Sequence, residues 1–246
     1  MMTQKLLIKP TTITSATLPQ IATRLTLNIP SIDQLIPPLE LDNFVVLHGS
    51  QSLTSFTTRL CVRAQISKQF GGLSSNVLFI DGGDTFRQHK TTRVAQQHGL
   101  NPRKVLENIH VSRAYTAYEL TAQIMEKLEA NIKKHNTKVV IISDIAGHFF
   151  KEDIPEEEAQ KVYSQVLNYL SSFAKKHGII LIATYIPHNN TKRNIKLREI
   201  TLTKANIVIS FNKTLYTNEI ELEKHPTHML GVADFPTENT TLTDFT

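Results

Sequence analysis

Four nearly unbroken apolar runs, at residues 44–48, 76–81, 138–144 and 179–184, alternate with stretches of helical periodicity. Runs without polar alternation suit strands buried on both faces, and such strands separated by helices build a mostly parallel sheet covered on either side. The expectation is therefore an α/β fold with a mostly parallel central sheet flanked by helices. Helices are expected at residues 57–70, before Gly71 and Gly72, at 88–98, before Gly99, and at 156–177, before Gly178. Another carries Leu120, Ile124, Leu128 and Ile132 as one apolar stripe. A short strand is expected within 109–115. Residues 202–211 and 216–223 read as antiparallel strands, a C-terminal extension of the sheet.

The ends of the chain differ in character. Residues 1–24 are rich in Thr, Ser and Pro and read as an arm or linker, residues 25–235 as one core domain, and residues 236–246 as a flexible tail. Within 25–41, Ser31 is placed to cap a short helix bearing Ile32, Leu35 and Ile36. No apolar run approaches membrane-span length and no signal core opens the sequence, so a cytoplasmic protein without a membrane partner is expected. A lone cysteine, Cys61, forms no intrachain disulfide and agrees with a reducing compartment. The formal charge of +5 permits binding to a polyanion without requiring it.

In an open parallel sheet, ligands bind at the carboxyl ends of the strands. The first such end here is Gly49-Ser-Gln-Ser-Leu-Thr54-Ser55-Phe-Thr57-Thr58, where a phosphate-binding loop belongs. Such a loop has the form Gly-x-x-x-x-Gly-Lys-[Ser/Thr], with backbone amides, a lysine and a hydroxyl turned to phosphate and magnesium. Counted from Gly49, the last three places fall on Thr54, Ser55 and Phe56. A register two residues longer gives Thr57 and Thr58 the lysine and hydroxyl places. Neither register supplies the lysine. Gly49, Thr54, Ser55, Thr57 and Thr58 are the candidate nucleotide-binding residues.

Asp144 ends an apolar strand, as a magnesium-water ligand does; the structural alternative is that it caps the turn before Gly147. Thr58 and Asp144 are the candidate metal ligands, and Asp144 is also a candidate catalytic residue. In Asp81-Gly-Gly-Asp84-Thr-Phe-Arg87, Asp84 is placed either to orient an attacking water or to cap the next helix. Residues 188–198 have little helical or strand pattern and concentrate Lys192, Arg193, Lys196 and Arg198, a basic loop suited to a phosphate backbone. The histidines, His48 and His188 among them, show no metal-ligand spacing and read as surface or packing residues.

These pieces, in this order, resemble the core domain of the RecA-like recombinases, specifically archaeal RadA and its paralogues, over about residues 24–235. Ile29-Pro-Ser-Ile-Asp33-Gln-Leu-Ile resembles the family's lead-in, and Phe79-Ile-Asp81-Gly-Gly-Asp-Thr85-Phe86-Arg87 is similar to its Ile-Asp-Thr-Glu-Gly-Thr-Phe-Arg. His98-Gly-Leu-Asn-Pro102, running on to Arg113-Ala-Tyr115, follows the family in spacing and type. Residues 139–144 resemble its Walker B strand, 178–184 the strand leading to its Thr-Asn-Gln motif, and 224–235 its closing hairpin. The resemblance implies a P-loop nucleotide hydrolase fold, ATP and magnesium as cofactors, and single-stranded DNA and a RadA-type recombinase or another paralogue as partners, with a homo-oligomer as a further arrangement. A DNA-bound protein of this kind would be nucleoid-associated.

The departures all concern phosphate chemistry. The lysine is missing, the water-activating glutamate falls on Gly83, the γ-phosphate-sensing glutamine on Ile186, and its neighbouring asparagine on Tyr185. They put ATP and magnesium in doubt and point to a degenerate nucleotide site in an accessory DNA-binding factor of recombination and repair. An unorthodox magnesium-dependent ATPase and a KaiC-like structural or signalling pseudo-ATPase are the alternatives. In the arm, Ile13-Thr-Ser-Ala16 resembles the Phe-x-x-Ala hook with which family members dock on a neighbour by strand addition, which makes Ile13 and Ala16 candidate partner-binding residues.

Overall fold

The computed structural model describes residues 23–50, 52–151, 154–186, 188, 191–213 and 218–234. Ile13, Ala16 and the expected tail lie outside them. The chain first pairs β1 (Arg24–Leu25) with β2 (Leu39–Glu40) around helix α1 (Pro30–Leu35). It then alternates β3 (Phe44–Gly49), α2 (Leu53–Arg63), β4 (Asn76–Asp81), α3 (Gln88–Gln97), α4 (Pro102–Glu107) and β5 (Ile109–Arg113). Next come α5 (Ala117–Ala122), α6 (Leu128–Lys134), β6 (Thr137–Ser143), α7 (Glu156–His177), β7 (Ile180–Tyr185) and α8 (Lys192–Lys204). Strands β8 (Ile207–Lys213), β9 (Asn218–Lys224) and β10 (Gly231–Asp234) close the sheet.

The main sheet has eight strands in the order β10-β9-β8-β3-β7-β6-β4-β5. β8, β3, β7, β6, β4 and β5 run parallel to one another, β9 pairs antiparallel with β8, and β10 pairs antiparallel with β9. The sheet is thus mostly parallel with a C-terminal antiparallel extension. Its apolar strands feed two cores. Phe44, Val46, Val140 and Ile142 face the layer of α5 to α8, while Val45, Leu47, Val139 and Ile141 face α2, α3 and α4.

The stripe on α5 and α6 has a physical peculiarity. Its four residues recur every four positions, longer than the 3.6 residues of a helical turn, so on a regular helix the stripe would drift around the axis. A wide π turn at Gln123–Lys127 joins the two helices and takes up the excess. Leu120, Ile124, Leu128 and Ile132 are accordingly all buried.

Several local expectations are corrected. Helix α2 begins at Leu53, not at residue 57, and stops at Arg63, with a separate 3-10 turn at Lys68–Phe70. Ser31 does not cap α1; the Asp33 carboxylate instead reaches back to the amides of Leu27 and Ile29, at 3.1 and 3.0 Å. The basic stretch is not a loop but the first turns of α8, capped by Thr191, whose side chain accepts from the Asn194 amide. The following strand begins at Ile207 rather than 202, because Asn206 fixes its start. That side chain accepts from the Phe44 amide at 3.0 Å, and the Asn206 amide donates to the Phe44 carbonyl at 2.8 Å.

Candidate functional site

The carboxyl ends of β3, β4, β6 and β7 meet on one edge of the sheet. At β3 the chain turns sharply. Gly49 has φ +111°, and a side chain there would place its Cβ 2.2 Å from the Phe211 carbonyl oxygen of β8, so only glycine fits. The Ser50 amide donates to that same carbonyl at 2.7 Å. Since α2 starts at Leu53, only residues 50–52 separate strand from helix. Phe56, the hydroxyl place in the shorter register, is core: it is 1% exposed and meets Phe211 edge-on with ring centroids 5.0 Å apart. Thr57 and Thr58 are buried too, and both hydroxyls donate to the Thr54 carbonyl at 2.9 Å. The Ser55 amide donates to the Ser52 carbonyl.

At β4 the turn is built by Asp81. Its carboxylate accepts from the amides of Thr85 (2.9 Å) and Phe86 (3.1 Å), from the Thr85 hydroxyl (3.3 Å) and from the Ser143 hydroxyl (2.6 Å). Burial pushes this carboxyl up, but the hydrogen bonds from Ser143, Thr85 and Phe86 outweigh it and hold Asp81 below the ordinary carboxylate range. Asp84 does not cap α3, whose N-cap is Arg87. It is exposed, takes φ +48°, and pairs with Arg113 at 3.4 Å and Arg87 at 3.6 Å.

Asp144 follows β6 with φ +45°. Its amide donates to the Thr184 hydroxyl at 2.8 Å, and its carbonyl accepts from the Gly147 amide at 3.2 Å. The carboxylate lies against Gly83 and Gly147 and meets His188 Nε2 at 3.2 Å. The histidines are thus less scattered in space than in sequence. His48, from β3, pairs with Glu223 of β9 at 2.8 Å. Burial pushes the His48 pKa down, against the opposing effect of the hydrogen bond that its ring donates to Glu223. Sequence separations of 44 and 175 residues hid both contacts.

Thr54, Gly83, Asp84, Thr85, Arg87, Lys90 and Ile186 line a cleft of ≈260 Å³ beside these turns. It brings Thr54 and Asp84 together, and the buried Thr57 and Thr58 do not line it. Tyr185, in the place of the family asparagine, is buried and donates to Asn194. Lys90 is a cation of this cleft that the sequence reading passed over; its place one helical turn from Arg87 was the available signal.

The four basic residues of α8 do not share a face. Lys192 and Lys196 are exposed on one crest, one turn apart. Arg198 flanks the buried stripe of Asn194, Leu197 and Thr201 on one side. Arg193 flanks it on the other and turns inward: Nη1 donates to the Ile154 carbonyl at 3.1 Å, while Nε and Nη2 are buried. Among the described residues no group of three or more His, Cys, Asp and Glu is placed to hold a metal ion, and no helix is long and apolar enough to cross a membrane.

A mostly parallel sheet with β3 at its centre, helices on both faces and an antiparallel closing hairpin is a RecA-like fold. The Rad51 family model matches residues 49–197, more than half of the chain, and the chain belongs to that family. It is similar to the DNA repair and recombination protein RadA of Aeropyrum pernix, 29% identical over 134 residues, which are 54% of this chain and 41% of that protein. The protein of the same description from Cenarchaeum symbiosum is 28% identical over 134 residues, 53% of this chain and 33% of the relative. The match therefore spans less than half of either relative.

Proposed function

We propose that this chain is a RadA-type recombinase paralogue with a vestigial nucleotide site, acting as an accessory factor in homologous recombination and DNA repair. It binds single-stranded DNA and joins a RadA-type recombinase or another paralogue. The observation that carries this reading is the turn after β3. A loop that wraps a phosphate needs several amides turned inward and a lysine. Here the turn spans residues 50–52, the Ser50 amide is bonded to Phe211, and residues 49–58 contain no lysine. These residues do not fit a magnesium–triphosphate pair, and no hydrolytic step follows from them.

For DNA, the supporting feature is α8, which carries Lys192, Lys196 and Arg198 beside the ligand-binding edge. Arg193 is left out of this contact set because its guanidinium is turned onto Ile154. For the partner, the support is β5. Among the described residues it is a sheet edge, paired only with β4, and Tyr115 and Tyr118 beyond its end are exposed, a surface on which an added strand can dock. The test is single-strand binding across a salt series. Replacing Lys192, Lys196 and Arg198 with Ala should weaken binding and lower the log–log salt slope by about 2, at about 0.7 per phosphate contact. Unchanged affinity and slope would overturn the DNA reading.

One observation favours a second reading, a magnesium-dependent ATPase: Arg87 and Lys90 line the same cleft as Thr54 and supply cations that the loop lacks. Turnover that Asp144→Asn abolishes would establish it.

A further inference from the structure

A second cleft, also of ≈260 Å³, opens between α8 and the carboxyl ends of β3, β7 and β8. His48, Tyr185, His188, Arg198, Asn212 and Glu223 are among its walls. It lies on the sheet face of α7 and α8, because His48 alternates in phase with Phe44 and Val46, which pack there. The turn into α2 and the family's phosphate chemistry belong to the other face, where Leu53 and Phe56 pack.

The walls are built rather than incidental. Tyr185 donates to the side chain and, at 3.0 Å, to the carbonyl of Asn194, and Asn194 Nδ2 donates to the His188 carbonyl at 2.9 Å. His48 is 5% exposed and braced by Glu223. Asn212 and Arg198, which complete the walls, are exposed.

These features select a class of ligand. Arg198 and Glu223 balance one another, and burial disfavours the charged form of His48, so the walls suit a neutral polar group better than a phosphate or a cation. The volume lies just below that of pockets for drug-sized molecules, which leaves room for one small planar group. Guanidinium, amide and carboxylate side chains are the groups that read base edges, and unstacked bases settle against exposed rings, which His188 supplies here. Lys192 and Lys196 lie on the exposed crest of the same helix, outside the cleft that Arg198 lines.

We propose that this cleft is a nucleobase pocket, taking one unstacked base of a strand whose backbone lies along α8, or the base of a free nucleoside. The strand-bound form rests on the DNA-binding reading above. The test uses the full chain with single strands carrying 2-aminopurine at successive positions, a matched strand with one abasic site, and free nucleosides. Binding should change 2-aminopurine emission at one position, and the abasic strand should bind about tenfold more weakly. Asn212→Ala and Glu223→Gln, with unaltered thermal midpoints, should shrink that difference and leave the salt slope unchanged. Equal affinity for intact and abasic strands without an emission change, at a normal salt slope, would overturn the pocket alone. If no strand binds, the DNA reading fails; saturable nucleoside binding that the two variants abolish then supports the pocket, and its absence overturns it.

Discussion

Two aspartates end or follow neighbouring strands of the same sheet, and their surroundings set them apart. Asp81, at the end of β4, is 1% exposed and accepts four hydrogen bonds, from Ser143, Phe86 and both the amide and hydroxyl of Thr85. Asp144, just after β6, is 7% exposed, and among the described residues the single side chain paired with its carboxylate is His188. One acid organises a turn and ties two strands together. The other is lightly held at the edge where ligands bind. An apolar strand ended by an acid therefore specifies a place, while the donors around that place decide between scaffold and site.

The largest test of this contrast is Asp81→Ala. It leaves two amides and two hydroxyls without their acceptor, in a buried turn, and should lower unfolding free energy by about 3–5 kcal/mol in urea titrations. A loss below about 1 kcal/mol would break the comparison.

Acid titration sharpens it. Asp81 has a lowered folded-state pKa, so its contribution is complete above its unfolded value of about 3.9 and disappears as pH falls through the lower folded value. Asp81→Asn should lack that acid limb. His48 acts in a different window. Burial keeps its folded pKa below that of the unfolded chain, so the unfolded state takes up the proton first, and stability declines as pH falls below about 6.5. His48→Gln should flatten that decline in thermal midpoints measured between about pH 5 and 7.

The smallest effect belongs to Asp144→Asn. The His188 side chain is 32% exposed, and Asn tolerates positive φ, so the change should lower stability by less than about 1 kcal/mol. A loss equal to that of Asp81→Ala would mean that the two acids share one role.

The sequence exposes what depends on local pattern. The buried strands and α7 are legible because apolar residues recur at strand or helix spacing over a sufficient length, and Gly178 closes α7 in the left-handed conformation. Helix α8 is not, because its buried stripe is Asn194, Leu197 and Thr201, of which Leu197 alone is apolar. Its docking is polar, through the Tyr163–Thr201 hydroxyl pair at 2.6 Å and the Tyr185 bonds to Asn194, and hydrophobic periodicity does not register such contacts. The strand-end acids are visible in the sequence, but their partners are not. Neither the 62-residue separation between Asp81 and Ser143 nor the return of β9 to His48 leaves a local signal.

Whether the turn after β3 still holds a nucleotide is read from thermal unfolding of the full chain against ATP with magnesium. A ligand that binds only the folded state stabilises it by about 2.7 kcal/mol at a hundred times its dissociation constant. No shift of the midpoint is expected at millimolar ATP, with or without magnesium, if the site is vestigial as proposed. A saturable, magnesium-dependent rise that Asp144→Asn removes would contradict it.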